Sequence, residues 1–193
     1  MNLVVNGDAE SGPGGSAQPV GSVVGWKIAE GAPALVAYSL GGGYPGPRDP
    51  GPPQRGSRFF SGGNSPRTIL VQDIALPVAG IDEGRVRYEL AAWLGGYATQ
   101  EDGAMLSVEL RDAAGTPLAL SVLGPVAAGE RKSRTALLER RAAAAVPPGS
   151  RTARLRLVLT RTGGGTSNDG YADGISLTLT TTAASATATG RQR

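Results

Sequence analysis

The sequence predicts an all-β domain, built as a two-sheet antiparallel β-sandwich, and three observations lead to this fold class. Four separate runs alternate apolar and polar residues with a period of two, which is the pattern of half-buried strands. Turn signals recur about every 8–12 residues, as in sandwiches and barrels. The 30 glycines and 14 prolines are spread between apolar runs. We favour a sandwich over a barrel because the polar strand faces carry charge and no lipid-facing band is present.

The first half of the chain contains five candidate strands and one long irregular segment. The strands are predicted at residues 3–5, 23–28, 34–40, 57–60 and 68–76. Segment 41–56 separates the third strand from the fourth, and five prolines fall within residues 45–53. Proline removes a backbone donor and clashes with the preceding turn, so this segment cannot be a helix. Ordered loops of this length are uncommon and are often functional.

The second half carries the clearest alternation. From Arg85 to Leu94, one face of the predicted strand is apolar and the other holds Arg87, Glu89 and Trp93. The same pattern predicts further strands, at residues 106–110, 153–160 and 175–180. A tight turn at residues 112–115 predicts a hairpin that leads into a strand at 118–123.

Segment 135–145 is ambiguous, because its sequence TALLERRAAAA has a high intrinsic helix propensity. Its place between strands, with Pro147-Pro148-Gly149 directly after it, favours a strand, and we expect it to be extended. Residues 1–180 are thus predicted to form one domain. Residues 181–193 are rich in Ser, Thr and Ala, which predicts a flexible tail or linker stub.

Composition excludes several classes of function. The chain has no Cys and no His, so thiolate chemistry, Ser-His-Asp triads and histidine zinc sites are excluded. The formal net charge is +3, and the arginines alternate with acids and apolar residues, so no nucleic-acid partner is expected. No apolar stretch approaches the ~18 residues that span a bilayer. The opening MNLVVNGDAE lacks the pattern of a signal peptide.

Five segments of the sequence resemble a known family. LVVNGDAESG opens the chain, GWKI, FFSGG and YELAAWLGGY follow, and NDGYADGISLTL comes last. Together they resemble the galactose-binding-like jelly-roll domains of bacterial carbohydrate-binding modules. Such modules begin with an N-G-x-x-E segment and end with an aromatic-x-D-x-hydrophobic strand. The resemblance covers residues 2–180.

The resemblance implies a function as well as a fold. It implies a non-catalytic module that binds a polysaccharide or glycan outside the cell or at its surface, with a structural calcium ion at the terminal motifs. Because the same sandwich also serves protein contacts, a structural or adhesion subunit is the alternative. The missing signal peptide favours that alternative.

The residues themselves also indicate a calcium site. Asp173 shares strand parity with the apolar positions of the last predicted strand, so we expect it to face the core. A lone carboxylate there is costly unless it is paired or binds a metal. Glu10 follows the turn Asn6-Gly7-Asp8, whose oxygens suit a hard cation such as calcium. The alternative is a carboxylate that backbone N–H groups cap or an arginine pairs.

A second acidic set consists of Glu101 and Asp102 together with Asn168 and Asp169, in two predicted loops. If these loops meet at one end of the sandwich, the side chains could bind another cation or hydrogen-bond sugar hydroxyls. Solvated turn residues are the alternative interpretation, because Asn and Asp favour turn geometry.

Aromatic side chains are further candidates, since sugar sites place exposed Trp or Tyr faces against pyranose rings. Trp93 falls on the polar parity of its strand and is followed by Gly95, Gly96 and Tyr97, while Tyr44 lies in the Pro-rich segment. We therefore predict a platform formed by Trp93, Tyr97 and Tyr44. A bulge before Gly95 would turn Trp93 inwards and make it a core residue.

Catalysis is not expected. A glycosidase needs two carboxyl groups about 5–10 Å apart, and the candidates are Glu89 and Glu109 on polar strand faces. Arg87 and Arg111 share those faces, so cross-strand ion pairing explains the two acids more simply.

Overall fold

The computed structural model describes residues 1–182, which form ten β-strands and no helix. The strands are β1 Lys27–Glu30, β2 Ala34–Ala37, β3 Arg58–Gly63, β4 Arg67–Ala75, β5 Val86–Gly96, β6 Gly103–Arg111, β7 Pro117–Leu123, β8 Ala136–Ala145, β9 Thr152–Thr160 and β10 Asn168–Thr181. Across these 182 residues, no helix is available that could cross a membrane. Residues 183–193 of the predicted tail lie outside the described residues.

The strands form two five-stranded sheets. Sheet I has the order β1-β4-β9-β6-β7, and sheet II has the order β2-β3-β10-β5-β8. All neighbouring strands pair in an antiparallel direction. The two sheets pack face to face as layers of a sandwich. The predicted fold class, an antiparallel two-sheet β-sandwich, is therefore confirmed.

Inward side chains of both sheets fill the space between them. Leu106 and Leu155 from sheet I and Leu90 from sheet II are fully buried in one continuous cluster. Trp26 packs edge-on against Phe60, with ring centroids 5.9 Å apart. Full burial of such a side chain contributes about 1.5–3 kcal/mol. This apolar layer is the main source of stability for the sandwich.

Most predicted strands are present with shifted ends. The helix-prone segment 135–145 is extended, because β8 pairs with β5 along its whole length and these hydrogen bonds outweigh local propensity. Two N-terminal predictions were wrong in position. Residues 3–5 form no strand, and β1 starts only at Lys27. Asn6 and Gly25 have φ values of +52° and +79°, which interrupt the extended backbone in both places.

The N-terminal segment lies along β10. The Leu3 amide donates to the Leu177 carbonyl at 2.9 Å, and the Ile175 amide donates to the Gly7 carbonyl at 2.8 Å. The Leu177 amide donates to Asn2 Oδ1 at 3.0 Å. A Cβ on Gly7 would lie 2.1 Å from the Ile175 carbonyl oxygen, so only glycine permits this approach. The motifs from the two ends of the sequence thus meet in space.

β10 changes face at Gly174. Its register against β5 shifts just after Asp173, and Gly174 has a φ of +56°. Tyr171, before this bulge, belongs to a cluster on the outer face of sheet II, whereas Ile175, after it, belongs to the core. The prediction that Asp173 faces the core was therefore wrong, because parity counting assumes a regular strand. Asp173 shares the outer face with Tyr171.

We expect Gly174→Ala to lower the free energy of unfolding by more than Gly84→Ala does. Both glycines have positive φ, +56° and +68°, where alanine costs roughly 1–2 kcal/mol. A Cβ on Gly174 would also lie 3.1 Å from Trp93, whereas one on Gly84 meets nothing within 4 Å. Urea denaturation measures both losses. Equal losses of unfolding free energy in the two variants would contradict this prediction, because they would show that the contact with Trp93 adds no cost.

Candidate functional site

The outer face of sheet II carries a second hydrophobic cluster, separate from the core. Phe59 is at its centre, with its ring centroid 4.8 Å from that of Tyr38, 5.3 Å from Tyr171 and 6.4 Å from Tyr44. These tilted and edge-on arrangements are the favoured ones for aromatic pairs. Phe59, Tyr38 and Tyr171 are buried, although they lie on the outside of the sheet. Another part of the chain must therefore cover them.

The Pro-rich segment 41–56, here called the covering loop, provides this cover. It contains no strand, as predicted. Pro45 and Pro52 are buried, and the Leu137 amide on edge strand β8 donates to the Pro50 carbonyl at 2.9 Å. The loop is thereby attached to the far edge of sheet II and closes over its aromatic face.

Arg55 holds the covering loop in one conformation. Its guanidinium donates to the carbonyl oxygens of Pro52 at 3.1 Å, Gly46 at 2.9 Å and Asp49 at 2.9 Å. Its Cζ also lies 5.0 Å from the centroid of the Tyr38 ring, within the range of a cation–π interaction. One side chain therefore satisfies several loop carbonyls and joins the loop to the aromatic cluster.

A cleft opens where the covering loop meets the end of β5 and the start of β10. These ends adjoin because the two strands are antiparallel neighbours. The cleft has a volume of about 260 Å³ and is lined by Gly42, Gly43, Tyr44, Tyr97, Ser167, Asp169 and Tyr171. Three predicted ligand-binding residues, Tyr44, Tyr97 and Asp169, are thus brought together. Tyr44 and Tyr97 are both half-buried, so part of each ring is accessible.

Asp169 supplies the charge of the cleft. Its Oδ1 accepts hydrogen bonds from the hydroxyls of Ser167 and Tyr171, each at 2.8 Å. No hydrogen bond to its Oδ2 is present within residues 1–182, and the residue remains 8% exposed. Burial, followed by the charge of Asp169, raises the pKa of the Tyr171 hydroxyl, which therefore keeps its proton as a donor. Ser167 and Tyr171 were not predicted as cleft residues.

Asp102 and Asn168 meet Asp169 at this end of the sandwich, but they lie beneath the cleft. Asp102 is 2% exposed, and its two oxygens accept from the amides of Thr162 at 2.8 Å and Asp169 at 3.0 Å. Asn168 is fully buried and donates to the Ser65 carbonyl at 2.9 Å. Neither side chain lines the cleft, and their role as direct ligand-binding residues stays a prediction. Asp102 holds the backbone of Asp169 through this hydrogen bond, and Asn168 is the first residue of β10.

Arg131 fixes the loop that carries Tyr97. It is 3% exposed and donates to the carbonyl oxygens of Gly96 at 3.0 Å, Ala98 at 2.9 Å and Gln100 at 2.6 Å. Its Nε is the one buried side-chain nitrogen or oxygen without a partner among residues 1–182. Nothing in the local sequence distinguishes Arg131 from the surface arginines, so its role could not be predicted.

Trp93 does not line the cleft. It lies on the outer face of sheet II, as its parity predicts, pairs with Asp173 of β10 and is half-buried. A Cβ on Gly174 would lie 3.1 Å from Trp93 and 3.9 Å from Pro52, so all three residues are close neighbours. The predicted platform is therefore divided. Tyr44 and Tyr97 share the cleft, whereas Trp93 adjoins the covering loop.

Asp173 is buried under the covering loop. It is 1% exposed, and it accepts hydrogen bonds from the Tyr38 hydroxyl at 2.7 Å and the Gly174 amide at 2.6 Å. Burial raises the pKa of Asp173 to about 7. The two hydrogen bonds lower this pKa, and the negative charges of Asp8 and Glu10 raise it further. The negative charges of Asp8 and Glu10 therefore add to the effect of burial in disfavouring ionised Asp173.

Glu10 is held by the start of β3. Its Oε1 accepts from the amides of Ser57 at 2.7 Å and Arg58 at 2.8 Å, and its Oε2 accepts from the Ser57 hydroxyl at 2.6 Å. Burial alone would raise the pKa of Glu10, but these hydrogen bonds and the Arg58 guanidinium hold it below its usual range. Glu10 is therefore an ionised carboxylate capped mainly by backbone and hydroxyl donors.

Asn6 holds the turn at residues 6–8, which precedes Glu10 in the chain. Its Oδ1 accepts from the Ser11 amide at 2.8 Å, and its Nδ2 donates to the Val24 carbonyl at 3.2 Å. Asp8 is exposed, and its Oδ1 lies 3.4 Å from the Glu10 amide. Nowhere in residues 1–182 do three acidic side chains converge on one point as a ready metal cage.

Comparisons with known proteins support the fold. No family model matches this sequence, and no curated protein matches it. A solved structure of a family 16 carbohydrate-binding module-2 is similar, with a TM-score of 0.53 and 22% identity over 92% of this chain and 99% of that chain. The predicted resemblance to carbohydrate-binding modules is thus confirmed at the level of the fold.

Two similar structures belong to larger proteins. One is the enzymatically active domain of bacteriophage CBA120 tailspike protein 4, with a TM-score of 0.55 and 16% identity over 93% of this chain. The other is the arabinose-bound α-L-arabinofuranosidase MgGH51, with a TM-score of 0.53 and 16% identity over 92% of this chain. The present chain spans 22% and 26% of those chains, so the likeness concerns one part of each.

We expect Arg55→Ala to loosen the covering loop while the sandwich stays folded. The substitution removes the side chain's three hydrogen bonds and its contact with Tyr38. Hydrogen exchange of the Leu137 amide, which bonds to Pro50, should become at least about tenfold faster, since local opening then costs less free energy. Arg48→Ala, at an exposed arginine of the same loop, is the control. Unchanged exchange in Arg55→Ala would contradict this role of Arg55.

Proposed function

We propose that this domain binds a glycan without catalysing a reaction, in the cleft between Tyr44 and Tyr97. The observation that carries the proposal is the convergence of two partly accessible tyrosine rings with the Asp169 carboxylate. Tyrosine rings offer faces for the apolar side of a pyranose, and a carboxylate oxygen accepts hydrogen bonds from sugar hydroxyls. The fold shared with a carbohydrate-binding module supports the proposal.

The dimensions of the cleft suit partial enclosure of a saccharide. Its volume of about 260 Å³ lies slightly below the range of about 300–1,000 Å³ that encloses drug-sized ligands. Part of a saccharide chain would be held between the tyrosines while the remainder stays in solvent. Because Arg55 and Arg131 fix both walls, the cleft exists before a ligand binds.

The non-catalytic part of the proposal is supported by the positions of the carboxylates. Glu89 lies on β5 of sheet II and pairs with Arg141 at 2.5 Å, while Glu109 lies on β6 of sheet I and pairs with Arg111. These two acids belong to different layers of the sandwich and cannot form a glycosidase pair. The cleft lining itself contains a single carboxylate, that of Asp169.

We also propose a structural calcium ion between Glu10 and Asp173. A carboxylate has about four acceptor sites; the hydrogen bonds described above use three on Glu10 and two on Asp173, so sites remain for a cation. An ion there would offset the burial that chiefly raises the pKa of Asp173, together with the smaller effect of the Asp8 and Glu10 charges. Calcium takes about 6–8 oxygens, so Asp8, the carbonyls of residues 6–8 and water would complete its shell.

The alternative function, a structural or adhesion subunit, would use another surface. β7 is an edge strand of sheet I, and its outward side chains Leu118, Leu120 and Val122 are 40%, 61% and 47% exposed. Edge strands of this kind can pair with a strand of another protein. Glycan binding is the leading proposal because the cleft combines aromatic walls with polar groups, an arrangement that strand pairing does not require.

We expect Tyr97→Ala or Tyr44→Ala to weaken glycan affinity about fivefold or more, because stacking contributes about 1 kcal/mol beyond the burial of area. The glycan is first identified on an array, and its affinity is then measured by calorimetry. Trp93→Ala is the aromatic control. It should lower the free energy of unfolding by about 1–3 kcal/mol while affinity is kept, since Trp93 lies outside the cleft lining.

Two outcomes would contradict this proposal. If folded Trp93→Ala loses binding while Tyr97→Ala keeps it, the site lies beside Trp93 instead of in the cleft. If the wild-type protein binds no glycan at millimolar concentration, the protein-contact function takes the lead.

We expect calcium to raise the melting temperature by several degrees and EDTA to reverse the effect. A hundredfold excess over Kd corresponds to about 2.7 kcal/mol. The effect should increase as pH rises through about 7, because calcium requires ionised Asp173. Without calcium, the raised pKa of Asp173 favours the protonated form in the fold. The contribution of Asp173 to stability is then greatest below its unfolded-state pKa and is lost as pH rises through about 7.

Asp173→Asn should abolish the response to calcium, whereas Glu83→Gln, at an exposed acid, should keep it. A melting curve above neutral pH that responds to neither calcium nor EDTA would contradict the site. Asp173 would then be a buried carboxylate held by Tyr38 and the Gly174 amide alone.

A further inference from the structure

The charge of the cleft limits which saccharides can enter it. Of the seven lining residues, Asp169 alone carries a charge, and no Lys or Arg is among them. Behind the wall, Arg131 and Glu101 offset each other, since the Glu101 charge acts directly on the Arg131 guanidinium. Asp102 lies directly behind Asp169 and accepts its amide hydrogen bond. The lining of the cleft therefore carries a net negative charge.

Asp169 has an oxygen free for a ligand. Both internal hydrogen bonds, from Ser167 and Tyr171, end on Oδ1, which leaves Oδ2 without a donor within residues 1–182. In a partly buried position, a carboxylate oxygen forms shorter and stronger hydrogen bonds with a charged donor than with a hydroxyl. A cationic donor is thus the best complement to this oxygen.

The tyrosine walls favour the same chemistry. The face of an aromatic ring is electronegative and attracts ammonium groups, most strongly where water is partly excluded. Tyr44 and Tyr97 both line the cleft that contains Asp169. A carboxylate in the same cleft as two such rings attracts a cation and repels uronate, sulfate and phosphate groups.

We propose that the cleft selects saccharides whose sugar units carry an ammonium group, such as glucosamine oligomers. It binds them more tightly than neutral saccharides, and it binds uronates most weakly. The inference rests on glycan binding in this cleft and names the class of glycan. The ammonium group lies at Asp169 Oδ2, and the sugar ring lies between Tyr44 and Tyr97. Replacing a neutral donor by a charged one is expected to raise affinity about tenfold.

The test compares three probes by calorimetry at about pH 6, where the amine of the sugar is charged. The probes are oligomers of glucosamine, of N-acetylglucosamine and of galacturonic acid, matched in length. Glucosamine oligomers should bind about tenfold more tightly than N-acetylglucosamine oligomers, and galacturonic acid oligomers should bind most weakly. Added salt should reduce the preference for the amine, because screening weakens partly exposed ion pairs.

Asp169→Asn should reduce the ratio of the glucosamine and N-acetylglucosamine affinities to about one, since the amide keeps an acceptor but loses the charge. Asp112→Asn, at the turn between β6 and β7, is the matched control and should keep the ratio. If Asp169→Asn does not fold, the effect of salt on the amine preference of the wild-type protein tests whether a charge sets that preference.

The outcomes separate this inference from the proposed function. If no saccharide of any class binds, glycan binding itself is wrong and the inference falls with it. If the three oligomers bind equally, or the uronate binds best, glycan binding stands and selection by Asp169 is overturned. A preference for the amine that persists in Asp169→Asn would also overturn it.

Discussion

The bulge at Gly174 is the constraint on which both faces of sheet II depend. β10 lies at the centre of this sheet, with β3 on one side and β5 on the other. Its first part must present Tyr171 and Asp173 to the outside, and its second part must present Ile175 to the core. In a regular strand all three would share one face, so an extra residue is required to change sides. Glycine provides it because the backbone there is left-handed.

The aromatic outer face of sheet II determines where the cleft opens. An apolar sheet face needs a cover, which the covering loop provides, and the cleft opens at one margin of this loop, beside Tyr44. The residues that shape this opening lie outside the cleft lining. Arg55 holds the loop, Arg131 holds the wall at Tyr97, and Asp102 positions the floor. A rigid sandwich with function in its connecting loops is a common arrangement for binding proteins.

Periodicity was sufficient to predict the sandwich, because alternation with a period of two follows directly from one-sided burial of a strand. It failed for Asp173, whose orientation depends on a bulge; the isolated Gly174 inside the strand pattern was the local signal of that bulge. Residue chemistry was sufficient to select Tyr97 and Asp169, but their convergence depends on the antiparallel pairing of β5 with β10. The position of Trp93 beside the covering loop depends on how that loop folds. The role of Arg131 depends on carbonyl oxygens that only the folded chain brings together.

The five prolines of the covering loop have a consequence for the kinetics of recognition. Each proline restricts the unfolded chain, so the loop loses less conformational entropy when it becomes ordered. The guanidinium of Arg55 also hydrogen-bonds to carbonyl oxygens of the loop. The loop is therefore already ordered before a ligand arrives, and binding does not have to order it. Association would then be limited by diffusion and orientation, with no slow conformational step. Differences in affinity between ligands would appear mainly as differences in residence time.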